Sequence, residues 1–209
     1  PPPPICPLVI DLDGNGFHTI TAAESHASFD FYNDGTPDHT AWLSGGDGIL
    51  VRDVTGNGTI DNLTEMFGTQ DTTSHGYAVL AEMDSNGDGM ISAADQGFAD
   101  LQLWTDMNGD GISQGDELHS LGDYNIASIS TQAVENYNEL NEDSYISHTS
   151  TVTLDNGDVL ESADVWFLTA NQGDDVASMP ADAGTTDSTY VAQVAAPADD
   201  LTAPVVLHV

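Results

Sequence analysis

The residues able to do chemistry in this sequence are oxygen donors in short, repeated loops. Asp84-Ser85-Asn86-Gly87-Asp88-Gly89-Met90-Ile91-Ser92 continues to Asp95, and Asp106-Met107-Asn108-Gly109-Asp110-Gly111-Ile112 continues through Gln114 to Glu117. A calcium ion takes six to eight oxygens, and an EF-hand loop supplies them from positions 1, 3, 5, 7, 9 and 12, with Gly at 6 for the sharp turn. The first loop offers Asp84, Asn86, Asp88, the Met90 carbonyl, Ser92 and Asp95. The second offers Asp106, Asn108, Asp110, the Ile112 carbonyl, Gln114 and Glu117. A third segment offers Asp53, Thr55, Asn57, the Thr59 carbonyl and Asp61, with its acid, Glu65, one residue late at position 13. A fourth, Asp11, Asp13, Asn15 and Gly16, has the first half of a loop and no acid at position 12. Asp30, Asp34 and Asp38 surround a further turn at Asn33 and Gly35. Single Asp-Asn-Gly segments also make ordinary turns, and that reading stands beside the metal reading for the Asp11 and Asp30 segments. The tandem matches at Asp84 and Asp106 point to calcium, several ions per chain.

Composition points the same way. Thirty-five acidic residues against one basic residue, Arg52, give a formal charge of −34 in 209 residues. Such a chain repels itself on compaction, and bound cations relieve the repulsion. Without lysine it lacks the means to bind nucleic acid or an anionic membrane surface. Cys6 is the only cysteine, so no internal disulfide forms. No apolar run approaches the length of a membrane span. The absence of an initiator Met and of a signal peptide suggests a piece of a longer protein. Seven His residues lie scattered, with no spacing that suggests zinc.

The elements that position these loops read as α+β: short strands and hairpins with a helical, EF-hand-like calcium-loop region. Leu8-Val9-Ile10, the Phe29/Phe31 segment, Ile49-Leu50-Val51 and Ile126–Ser130 read as strands. Residues 150–154 and 158–168 flank Asp155-Asn156-Gly157, a strong hairpin signal. Residues 75–83 read as a helix and 93–104 as a second, with Phe98, Leu101 and Trp104 on one side; a short third helix starts near Gly115. The outgoing helix of the Asp84 loop then serves as the incoming helix of the Asp106 loop. Three parts follow: a Pro-rich linker over 1–5, a calcium module over 6–169, and an acidic Ala/Asp/Pro/Thr-rich linker or tail over 170–209.

Taken together, CPLVIDLDGNGFHTI, AWLSGGDGILVRDVTGNGTIDNLTEMFG, the run from His75 to Leu121 and the closing ADVWF resemble the self-processing module of FrpC-like RTX proteins and large RTX adhesins. The resemblance covers about residues 6–168. It implies type I secretion, an extracellular or cell-surface setting, and a fold that forms on calcium. It also implies calcium-triggered cleavage of an Asp–Pro bond at the module's N-terminus, dependent on the acids at Asp84, Asp95, Asp106 and Glu117. The freed aspartyl group can then join a lysine of another protein. Here Cys6 precedes Pro7 where the family has Asp, so Cys6–Pro7 is the scissile position by resemblance only. An Asp side chain reaches its own carbonyl through a five-membered anhydride, whereas a Cys thiolate would need a four-membered ring, which closes that route. A Cys6 attack on the Ile5 carbonyl, giving a thioester, is a separate chemistry; a small packed residue is the plainer reading of Cys6. Two functions therefore stand side by side: a self-processing module inactive at Cys6, performing at most one turnover, and a calcium-rigidified structural or adhesive link between neighbouring domains. A calmodulin-like sensor fits less well, with five Met residues and no symmetrical pair of loops.

Overall fold

A computed structural model describes residues 4–69, 71 and 73–168; the acidic segment over 170–209 lies outside them. Among the described residues fourteen strands follow in order: β1 (Cys6–Ile10), β2 (Thr19–Ile20), β3 (Ser28–Phe29), β4 (Asp38–His39), β5 (Trp42–Leu43), β6 (Gly48–Val51), β7 (Gly68–Thr69), β8 (Met90–Ser92), β9 (Gln102–Trp104), β10 (Leu118–Ser120), β11 (Ile126–Ser130), β12 (Val134–Asn141), β13 (Ser144–Leu154) and β14 (Val159–Phe167). One α-helix, α1 (Gly76–Leu80), runs into a 3₁₀ turn over Ala81–Met83. Ten strands form one curled antiparallel sheet in the order β10-β9-β6-β1-β14-β13-β11-β8, with β12 added to β13 and β7 to β1.

The centre of the sheet is covered on both faces. Along β1, Val9 packs into one apolar cluster while Leu8 and Ile10 pack into the other; along β6, Ile49 and Val51 take the first cluster and Leu50 the second. Two-sided burial is why these strands read as unbroken apolar runs rather than as alternation. Phe29, Phe31, Trp42, Trp104 and Phe167 gather in the first cluster, with ring centroids 4.9–6.3 Å apart. Ile5 is fully buried there as well, and its amide and carbonyl bridge to Phe167. The expected hairpin forms between β13 and β14, with Gly157 at φ 88° in its turn.

The α+β expectation is overturned: the structure is mostly strand, about 40%, with one short helix and no helical EF-hand frame among the described residues. Residues 76–83 are helical, but 93–104 hold only a three-residue 3₁₀ turn at Phe98–Asp100. Gly97 takes φ 85°, a left-handed turn that ends any helix there, and Gln102–Trp104 pair with Ile49–Val51. Phe98, Leu101 and Trp104 sit at i, i+3 and i+6, a spacing a helix explains. In the strand, however, Leu103 and Trp104 point into opposite clusters, with period two. The helix expected near Gly115 is a turn leading to β10, followed by a four-residue 3₁₀ segment capped by Ser120. No shared helix joins the Asp84 and Asp106 loops.

Candidate calcium loops and the buried end of the first strand

The loops share one backbone architecture. In each, the first Asp accepts the amides of the fourth and sixth residues through its two oxygens. Asp53 takes Gly56 (2.6 Å) and Gly58 (2.8 Å), and Asp84 takes Gly87 (2.7 Å) and Gly89 (2.8 Å). Asp106 takes Gly109 (2.7 Å) and Gly111 (2.8 Å), and Asp11 takes Gly14 (2.8 Å) and Gly16 (3.0 Å). All eight glycines have φ between 71° and 89°, a conformation that glycine adopts without strain. Asp30 makes a similar turn with the amides of Asp34 and Gly35.

Three of the loops are closed in the same way. The Asp95 carboxylate accepts the amides of the second residue, Ser85 (2.9 Å), and the ninth, Ser92 (3.0 Å). Glu117 accepts those of Met107 (3.1 Å) and Gln114 (3.3 Å). Glu65, one residue late in the chain, uses its longer arm to do the same, accepting from Val54 (3.2 Å), Thr55 (3.2 Å) and Asp61 (2.8 Å). All three closing acids are almost fully buried. The Ser92 amide above all, then those around Ser85, hold Asp95 below the usual carboxylate range; the Gly58 amide does the same for Asp53. The donors at the metal positions are carboxylates, amide oxygens, hydroxyls and carbonyls, a hard set suited to calcium rather than to a thiolate- or imidazole-seeking metal.

The loops are wired into the core. Trp42 Nε1 donates to Asp106 at 2.7 Å and Trp104 Nε1 donates to Glu117 at 3.3 Å, so both indoles of the aromatic cluster end on acids of one loop. Ile60 and Ser113, the eighth residues of the Asp53 and Asp106 loops, meet through the Ser113 hydroxyl, which accepts the Ile60 amide at 2.6 Å. Ile91, the eighth residue of the Asp84 loop, instead pairs with Ile129 on β11. The loops adjacent in sequence are thus not the loops adjacent in space. Arg52 directs Nη1 toward the Met83 sulfur at 3.9 Å.

Cys6 and Pro7 open β1, pairing with Thr69 and Gly68 of β7. Cys6 is fully buried among Tyr145, Trp166 and Leu168, with the Tyr145 and Trp166 rings stacked at 5.9 Å. A side chain at Gly68 would strike the Cys6 carbonyl, so a glycine is required there. The thiol faces Asp164, which is itself fully buried. Burial first, then the Asp164 charge and hydrogen bond, hold the thiol well above its usual value. Asp164 accepts from the Gly76 amide (2.9 Å) and from Ser147 Oγ (2.7 Å). Ser147 Oγ also lies 2.9 Å from His148 Nδ1 and accepts from Trp166 Nε1 at 2.9 Å. The His75 and His148 rings stand 4.3 Å apart, and His75 Nδ1 is buried without a hydrogen-bond partner among the described residues. Burial, and then the His148 charge, lower the His75 pKa.

The sequence showed scattered histidines; the fold brings two of them and Asp164 together beside Cys6–Pro7. They come from α1's cap, β13 and β14, so no spacing in the chain announced them. A second acid also escaped the sequence reading. Asp47, 4% exposed, lies with Asp11 and Asp13 so that one carboxylate oxygen from each falls within 4.8 Å of the others. Burial, and then the charges of Asp11 and Asp13, push Asp47 up to about 6.

The SPM domain family matches residues 8–168. The chain is 43% identical over 171 residues to the iron-regulated protein FrpA of Neisseria meningitidis serogroup C, covering 76% of this chain and 15% of FrpA. It spans less than a fifth of that relative's length. The match over most of the described strands places the chain in a known group: it belongs to the SPM domain family.

Proposed function

We propose that this chain is a calcium-folded module of an RTX-type exported protein, working outside the cell beside neighbouring domains. The observation that carries the reading is the common closure of three loops by Glu65, Asp95 and Glu117. In each, a buried acid ties the second and ninth positions together and leaves lone pairs for a cation. The residues that would hold calcium are Asp53, Thr55, Asn57, Thr59, Asp61 and Glu65; Asp84, Asn86, Asp88, Met90, Ser92 and Asp95; and Asp106, Asn108, Asp110, Ile112, Gln114 and Glu117. The ion would supply positive charge to a chain of −34 and cross-link residues that otherwise repel. Because Trp42 and Trp104 end on Asp106 and Glu117, ordering that loop also orders the aromatic core.

At the N-terminal strand, the resemblance to self-processing modules supports cleavage of an Asp–Pro bond in the family, and Cys6 closes that route here. Asp164 is the group placed to exchange a proton with a carboxyl at position 6. With Cys6 in place, the protonated thiol is also a poor nucleophile for attack on Ile5. That observation favours a second reading, a purely structural link without processing. The calcium reading is tested by far-ultraviolet circular dichroism and tryptophan fluorescence of the full chain in chelator and in millimolar calcium. The expected result is a disordered chain that acquires β-structure and buried indoles on adding calcium. Native spectra in chelator that calcium leaves unchanged would overturn it.

A further inference from the structure

The Asp11 loop has the turn and the first donors of the other loops but ends in Ala22 where they carry an acid. Strand register supplies one from elsewhere. In the β1–β6 pair Val9 faces Ile49 and Ile10 faces Gly48, so one step further Asp11 faces Asp47. The glycines of that segment bring it close: Gly46 lies against the Asp13 carboxylate, at 3.4 Å from where its Cβ would stand, and Gly48 lies against Leu12 at 3.1 Å by the same measure. One oxygen from each of Asp11, Asp13 and Asp47 falls within 4.8 Å of the other two. Asp47 is 4% exposed and its Oδ1 has no hydrogen-bond partner among the described residues. A buried carboxylate oxygen without a donor is costly, and three like charges at this spacing add to the cost. A cation removes both penalties together.

We propose that Asp47, reaching across from the segment before β6, is the closing acid of the Asp11 loop, and that Asp11, Asp13 and Asp47 together hold a divalent cation of the calcium class. The site rests on the calcium reading above but differs from the other loops in kind. Their acids lie within one continuous loop, whereas this one spans the antiparallel pair β1–β6. An ion here ties the N-terminal strand to the sheet directly after the Cys6–Pro7 segment.

Two measurements test it. Calcium titration of the full chain by native mass spectrometry should show D47N binding one ion fewer than the wild type, with D13N losing the same single ion and the double variant losing no more. An unchanged ion count in D47N overturns the proposal while leaving the calcium reading intact. Should D47N fail to fold, crystals of the wild-type chain grown with terbium decide. An anomalous peak at about 2.3–2.6 Å from oxygens of all three residues supports the site. Peaks confined to the Asp53, Asp84 and Asp106 loops overturn it, and no ion anywhere overturns both readings.

Discussion

Replacing Glu65 by Gln probes the loop whose acid arrives late in the chain. Glu65 is 1% exposed and accepts three amides, two on Oε1 and one on Oε2. Glutamine keeps the shape but has one acceptor oxygen, so its NH₂ must face at least one amide donor. The least costly orientation keeps Val54 and Thr55 and leaves the Asp61 amide opposed. A buried donor left unpaired costs about 1–3 kcal/mol. The lost charge also empties the calcium site. With a Kd of about 10⁻⁴ M, in the range of extracellular modules, and roughly 10 mM calcium, the bound ion contributes about 2.7 kcal/mol. The sum is about 4–6 kcal/mol, which for a domain of this size lowers Tm by roughly 8–24 °C. Tryptophan fluorescence during heating in 10 mM calcium reads it directly, since Trp42 and Trp104 sit in the core that the neighbouring loop anchors. A fall of less than about 3 °C would refute the role assigned to Glu65 and with it the equivalence of the three loops.

Further outcomes follow from the same geometry. Cys6→Asp should restore calcium-dependent cleavage between positions 6 and 7, and adding Asp164→Asn to that variant should slow it at least about tenfold; a Cys6→Asp chain that stays intact in millimolar calcium contradicts the scissile assignment. In the calcium-loaded wild type the Cys6 thiol should resist an aromatic disulfide reagent, because it is fully buried and held protonated. It should react promptly once calcium is chelated, and immediate labelling in calcium would show that the strand end is open.

The Asp-Asn-Gly turns were legible in the sequence because their residues are local: each candidate donor sits two to four residues from the next, and the glycines mark where the backbone turns left-handed. The strands at Leu8–Ile10 and Ile49–Val51 were legible for a similar reason, since burial on both faces leaves a continuous apolar run. The segment from Phe98 to Trp104 was misread because its apolar residues fit a helix as well as a two-sided strand. Only the pairing with β6, fifty residues away, decides between them. β12, Val134–Asn141, carries mostly exposed polar residues and gave no periodic signal at all. Asp47, Asp164 and the His75–His148 pair were hidden because strand register, not spacing along the chain, brings them to their partners.

Calcium is proposed both to fill these loops and to hold one intact chain together. Native mass spectrometry of the chain carrying a folded N-terminal tag, with and without calcium, reads both in one experiment. The account predicts several calcium ions on an unbroken chain. A chain that binds no calcium would contradict it, and bound calcium with two fragments would contradict the inactivity assigned to Cys6–Pro7.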